Sequence, residues 1–155
     1  MIIGQAPGLK AHDSRRPWND PSGDRLRDWL QLDNKTFYDP KHVALVPMGF
    51  CYPGKGKSGD LPPDRRCAPT WHPRIFEELI AVKLKILVGS YAQNYYLSDK
   101  LTLTQRCKEW QTYLPDCVVL PHPSPRNNIW LKRNDWFEKD VIPAIRNRVN
   151  DILQD

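Results

Sequence analysis

The chain has 155 residues, 40% of them hydrophobic, and six tryptophans, which suits one folded domain with a single buried core. Fifteen prolines and a mean hydropathy of −0.63 leave much of it to loops. A net charge of +5 and a pI near 9.1 favour an anionic partner, no apolar run reaches the roughly 18 residues of a membrane span, and "MIIGQAPG" lacks the basic region and long apolar core of a signal peptide.

The four cysteines, Cys51, Cys67, Cys107 and Cys117, contain no CxxC spacing. In a chain of this size they read as reduced thiols, so a cytoplasmic location is expected.

In chain order, "MII" before Gly4 reads as a first strand. Three residues is short for a core strand; a chain that starts later than its relatives, or a truncated one, would explain it. Ser22 is placed to cap a helix whose Leu26, Trp29 and Leu30 share one face. "VALVPM" (43–48) predicts a second strand. Thr70 and Pro73 are expected to open a helix carrying Ile75, Phe76, Leu79 and Ile80. "KILV" (85–88) predicts a third strand, followed after Gly89 by a short helix through Tyr91 to Leu97. Leu103, Cys107 and Trp110 form another helical stripe, and "CVVL" (117–120) predicts a fourth strand. Asn134 is expected to cap a last helix bearing Phe137, Val141, Ile145 and Val149, kinked or restarted at Pro143.

The apolar runs are continuous rather than alternating, as in strands buried on both faces. Their alternation with helices predicts an α/β fold: three α/β/α layers around a central four-stranded parallel sheet, in one domain over 1–155. Ligands bind beyond the carboxyl ends of such strands. The expected site therefore lies among loops 4–18, 47–67, 89–93 and 121–130.

Within the second loop, "YPGKGKSGD" (52–60) approaches a phosphate-binding P-loop. Gly49 and Gly54-Lys55 have the spacing, but Gly56 replaces the Ser/Thr that would hold magnesium. Gly56-Lys57-Ser58 has the ending, but Cys51 replaces the first glycine. "GDLPPDRRCAP" follows, which does not open the helix that makes such a loop a strong phosphate site. A P-loop-like nucleotide-binding protein is thus the weakest reading. The loop is either a solvated basic turn or a flexible element offering lysines and backbone N–H groups to a nucleic-acid backbone.

"GQAPG" (4–8) and "HPSPRNN" (122–128) follow the first and last strands. In that order they resemble the uracil-DNA glycosylase superfamily, whose members carry a GQDPY- or GEAPG-type motif after the first strand and an HPSP- or HPA-type motif after the last. "RRPW" followed by "SGDRLRDWL" resembles a segment of the iron–sulfur (family 4) branch, and "VGSYAQNYYL" resembles that branch's third strand end. Cys51 and Cys67 have fifteen residues between them, as do the second pair of cluster cysteines there. The resemblance spans about residues 2–145.

That branch has an upstream cysteine pair, and nothing here matches it. With two of four ligands missing, no iron–sulfur cluster and no other cofactor is expected. A zinc site from Cys51, Cys67 and His72 lacks the usual ligand spacing. The family's water-activating carboxylate falls on Gln5 or Ala6, and the Asn that reads the uracil edge falls on Pro47.

The resemblance implies hydrolysis of the N-glycosidic bond of a flipped, deaminated base, uracil or a relative, in base excision repair. His122 would donate to the base's O2 and stabilise the departing anion; the alternative is a histidine that only holds its Pro-rich turn. Water activation has three candidates: Gln5, Asp13 and His12, the carboxylate being equally readable as a surface partner of Arg15 or Arg16. Trp18 would stack on the base, with Ala6, Pro7, Pro47, Met48, Gly49 and Phe50 forming the rest of the base pocket. Pro125, Arg126 and Asn127 resemble the insertion loop. Ser124 suits phosphate contact, and Arg16, Lys55 and Lys57, with Arg15, Lys132 and Arg133, would supply the salt-dependent grip on DNA. His42 and His72 are assigned to structure. The competing reading is a catalytically inactive nucleic-acid binder on the same fold. Nothing calls for an obligatory protein partner, and a monomer is expected.

Overall fold

The computed structural model describes residues 1–155. β1 (Ile2–Ile3) is followed by α1 (Leu9–Ser14), α2 (Pro21–Leu30) and α3 (Asn34–Phe37). A hairpin of β2 (Lys55–Gly56) and β3 (Gly59–Asp60) precedes α4 (Cys67–Glu78) and β4 (Lys85–Val88). Next come α5 (Ser90–Tyr96), α6 (Leu103–Lys108), a 3-10 turn (Trp110–Tyr113) and β5 (Cys117–Leu120). A second 3-10 turn (Pro125–Asn127), α7 (Asn128–Arg133), a π turn (Phe137–Val141) and α8 (Ile142–Gln154) follow. No helix is long and apolar enough to cross a membrane.

The main sheet is parallel, in the order β1-β4-β5, with Ile2 opposite Ile86 and Val88 opposite Leu120. It has three strands rather than the expected four. Residues 43–48 contribute one parallel bridge, Ile2 to Leu45. The chain there does run along β1: Ile2 N donates to Ala44 O at 2.8 Å and Val46 N to Ile2 O at 2.9 Å. The bonding continues past Pro47, Met48 N donating to Gly4 O at 2.8 Å, but β1 is only two residues long and no regular ladder develops.

Side-chain alternation along the strands separates two cores. Ile2, Ile86, Val88, Val118 and Leu120 pack with α2, α8, Phe37, Cys107 and Phe137 in a cluster of 18 buried residues. Ile3, Leu87 and Val119 point the other way, onto Met48, Ala68 of α4 and Ala92 of α5, a cluster of six. Helices thus cover both faces of the sheet. The second face is thin because alanines bring α4 and α5 close to it.

Three helix starts differ from expectation. Asp20, not Ser22, caps α2: its carboxylate accepts from Gly23 N at 2.8 Å, and Pro21 fills the first helical position. α4 opens at Cys67, so Thr70 and Pro73 lie inside it, the Thr70 hydroxyl donating to Arg66 O at 2.6 Å. Asn134 closes α7 instead of opening α8, its side-chain amide donating to Trp130 O at 2.9 Å. The restart at Pro143 is as expected, after the π turn. α6 carries a full capping box, with Thr102 and Gln105 each satisfying the other's backbone N–H.

Candidate active site

A cavity of about 530 Å³ opens beyond the carboxyl ends of the strands, lined by residues from all four expected loops. Two glycines, Gly4 in its lining and Gly89 beside His122, make room for its aromatic side chains. A Cβ on Gly4 would lie 2.6 Å from the Trp18 ring, so only glycine lets the indole lie down on the end of β1. Trp18 adopts φ +59, an unusual backbone for a large side chain. Arg27 of α2 holds it there, donating from Nη1 to Trp18 O at 3.1 Å. Gly89 has φ +84 and its missing Cβ would meet the His122 side chain at 3.5 Å.

His122 is half-buried behind Pro121. Its Nδ1 accepts from Ser124 N at 3.2 Å, which leaves the proton of the neutral ring on Nε2. The Asn127 amide donates to His122 O at 2.7 Å. Arg25 clamps the following turn, donating to Pro123 O at 3.3 Å and to Asn128 Oδ1 at 2.8 Å. The Trp18 and His122 rings are stacked, 5.8 Å between centroids and 28° apart. Burial pushes the imidazole below its ordinary pKa of 6.5, and the carboxylates of Asp20 and Asp60 pull the other way. The site therefore presents one oriented neutral donor.

The "YPGKGKSGD" stretch is a two-stranded antiparallel hairpin, Lys55 opposite Asp60 and Gly56 opposite Gly59. No helix follows it until Cys67, which removes the P-loop geometry. The Arg126 guanidinium donates to the Ser58 carbonyl at the hairpin tip. Gly59, at φ +125, packs directly against that guanidinium and has no room for a side chain.

Of the expected residues, the cavity gathers Gln5, Ala6, Pro7, Trp18, Pro47, Phe50, Lys55, His122, Ser124, Arg126 and Asn127. Others stand outside its lining. His12 and Asp13 are exposed on α1, with the His12 ring 5.8 Å from that of Tyr52. Met48 is buried in the smaller core and Gly49 lies against Pro63. Lys57 is exposed at the hairpin tip, Pro125 is exposed on its turn, and the Arg16 guanidinium lies over the Tyr38 ring at 3.9 Å.

Among the lining residues that sequence reasoning did not assign to the site are Pro17, Asp20, Asp60 and Tyr91. Asp20 carried a legible signal as the start of "DPSG", a capping pattern, but capping says nothing about what its second oxygen faces. Asp60 and Tyr91 had no local signal, since the hairpin and the start of α5 bring them in. Arg25, whose guanidinium bonds to the 122–128 turn, was not singled out by any motif.

His72 is 1% exposed, and both its ring nitrogens are engaged, one with the Tyr96 hydroxyl and Nε2 with Pro47 O at 2.8 Å. That excludes it from a metal site with Cys51 and Cys67. Cys107 is in the core, its thiol pushed up to about 12 by burial, and burial pushes the Cys117 thiol up to about 11. No three His, Cys, Asp or Glu residues converge as metal ligands. The four thiols do not fit a cluster site.

A family model described as the uracil DNA glycosylase superfamily matches residues 1–146. The matched span takes in every strand, both end motifs and every residue that lines the cavity.

Proposed function

Since the chain belongs to the uracil DNA glycosylase superfamily, a superfamily of DNA glycosylases, we propose that its cavity receives a deaminated base turned out of DNA, uracil or a relative, and hydrolyses the bond joining it to the sugar. The observation that carries this is the single oriented donor: His122 is neutral, its Nδ1 is occupied by Ser124 N, and it lines a cavity beside an aromatic face.

A flipped base stacks on Trp18 and accepts from His122 Nε2–H at a carbonyl oxygen. As the C1′–N bond lengthens, negative charge gathers on the base and positive character on the sugar. A fixed donor in a half-buried site stabilises that charge without reorganising. The backbone clamp from Arg25 and Asn127 keeps the donor in place. Ser124, Arg126, Lys55, Lys57 and Arg16 bind the phosphates around the site, with Pro125 and Asn127 beside the gap left in the duplex.

The wall at Pro47 has no side-chain amide, and its carbonyl is occupied by His72. Base selection therefore falls to Gln5, the backbone around Ala6 and Pro7, and the size of the cavity. A panel of single- and double-stranded oligonucleotides carrying uracil, hypoxanthine or xanthine, cleaved with alkali after incubation, tests this directly. Product from wild-type protein and little from His122→Ala is expected. No product above the variant on any substrate sinks the proposal.

A non-catalytic DNA binder is the second reading, favoured by Gln5 and Ala6 standing where the family's carboxylate does. It predicts DNA affinity that falls steeply with salt and no abasic product.

A further inference from the structure

The glycosidic bond needs a water as well as a base anion, and the motif after β1 supplies no carboxylate to activate one. Two carboxylates enter the cavity from elsewhere in the chain. Asp20 arrives from the cap of α2 and Asp60 from β3 of the hairpin. They converge over Gly8, the last residue of the "GQAPG" motif. A Cβ built on Gly8 would come 3.4 Å from Asp60 Oδ2 and 3.8 Å from Asp20 Oδ2. Gly8 has φ −79 and ψ 175, which any residue adopts, so the glycine is not required by the backbone. What its missing side chain leaves is a niche between two oxygens.

We infer that this niche holds the nucleophilic water of the glycosylase reaction, with Asp60 as its general base and Asp20 as its second anchor. The inference rests on the glycosylase reading of the same cavity. An ionised carboxylate only accepts hydrogen bonds, whereas a water donates two. One water over Gly8 satisfies both oxygens and turns its lone pairs to the cavity. Neither Asp20 nor Asp60 forms an ion pair, so no cation occupies the oxygens that face the niche.

The two are not equivalent. Asp20 Oδ1 already accepts from Gly23 N at 2.8 Å, so that carboxylate is committed to the helix cap. Asp60 accepts no backbone N–H, only the Tyr52 hydroxyl faces it as a side-chain donor, and it is the one assigned as base. In the step, the C1′–N bond breaks and its electron pair leaves with the base, held by His122 Nε2–H. The water oxygen bonds to C1′, and its released proton passes to Asp60 and from there to solvent. The free base then takes a proton from solvent. No oxidant, metal or co-reactant is needed. The two negative charges also stabilise the positive character that develops at C1′.

The test is single-turnover and steady-state excision by four variants, Asp60→Asn, Asp20→Asn, Gly8→Ala and His122→Ala, with thermal melts. Asp60→Asn is expected to lower kcat about 10²- to 10³-fold and leave KM within about threefold. Asp20→Asn keeps the helix cap, since Asn caps as well as Asp, and is expected to lower kcat about tenfold without changing the melt. Gly8→Ala fills the niche at ordinary contact distances and is expected to match Asp60→Asn, although it removes no charge. Wild-type activity lost in His122→Ala but kept within about threefold in Asp60→Asn and Gly8→Ala overturns this inference and leaves the glycosylase reading standing. A wild-type protein inactive on every substrate overturns both.

Discussion

Two histidines stand at the carboxyl end of the sheet, and their surroundings differ in one respect. His72 lies on the α4 side, fully enclosed, stacked on Tyr96 with 5.8 Å between ring centroids, and both nitrogens are bonded within the protein. His122 lies beyond β5, with one nitrogen bonded to its own turn and the other open to the cavity. The first is a complete network within the protein, and the second leaves one nitrogen facing the cavity. Residue type does not separate an open histidine from an enclosed one here. The count of satisfied ring nitrogens does.

The largest expected effect breaks the open side. His122→Ala should reduce base excision about 10²- to 10³-fold with little change in the melting temperature, measured by single-turnover oligonucleotide cleavage. His72→Ala should do the reverse. Removing a buried ring and leaving the Pro47 carbonyl unsatisfied should cost about 3 kcal/mol in urea unfolding. If the loss in activity follows the loss in stability for both variants, the distinction between the two rings is wrong.

An intermediate effect tests the clamp. Arg25→Ala frees the turn that carries His122 and should lower kcat about tenfold with KM little changed, because the donor loses its fixed position. The next sharpens the comparison by pH. Burial holds His122 below 6.5, so the unfolded chain takes up a proton before the folded one does. Stability from this site is complete above about 6.5 and falls as pH drops toward the lowered value. Urea midpoints across that window should slope down toward acid in wild type and flatten in His122→Gln. The smallest effect is on the DNA grip. Lys55→Ala and Lys57→Ala should each reduce the slope of log affinity against log salt by about one, without altering which base is cut.

Much of this was legible in the sequence, unevenly. The strand positions 85–88 and 117–120 follow from continuous apolar runs, and the placement of the site follows from the parallel sheet they imply. His122 and Gln5 stand in the cavity because they belong to loops directly attached to strand ends, and Trp18 because the turn between α1 and α2, held by Arg27, folds back over Gly4. The residues that sequence proximity and structure place differently share a cause. His12 and Asp13 are close in sequence to the motif, yet the short α1 helix sets them outside the cavity lining. Asp20 and Asp60 are brought in by a helix cap and a hairpin, whose geometry depends on partners elsewhere in the chain. The fourth strand differs for another reason: the apolar stretch at 43–48 does lie along β1 and bonds to it, but β1 is too short for a regular ladder to extend beyond one bridge.

One contact described above ties the hairpin to its surroundings. The Arg126 guanidinium is bonded to the Ser58 carbonyl, a neutral acceptor. A phosphate is a stronger acceptor for the same planar fork. Any polyanion that reaches Arg126 therefore competes with the hairpin for one guanidinium, and winning it releases the tip that carries Lys57. On the glycosylase reading proposed above, holding the hairpin tip and holding a DNA phosphate are alternative uses of a single side chain, an internal latch exchanged for an external one.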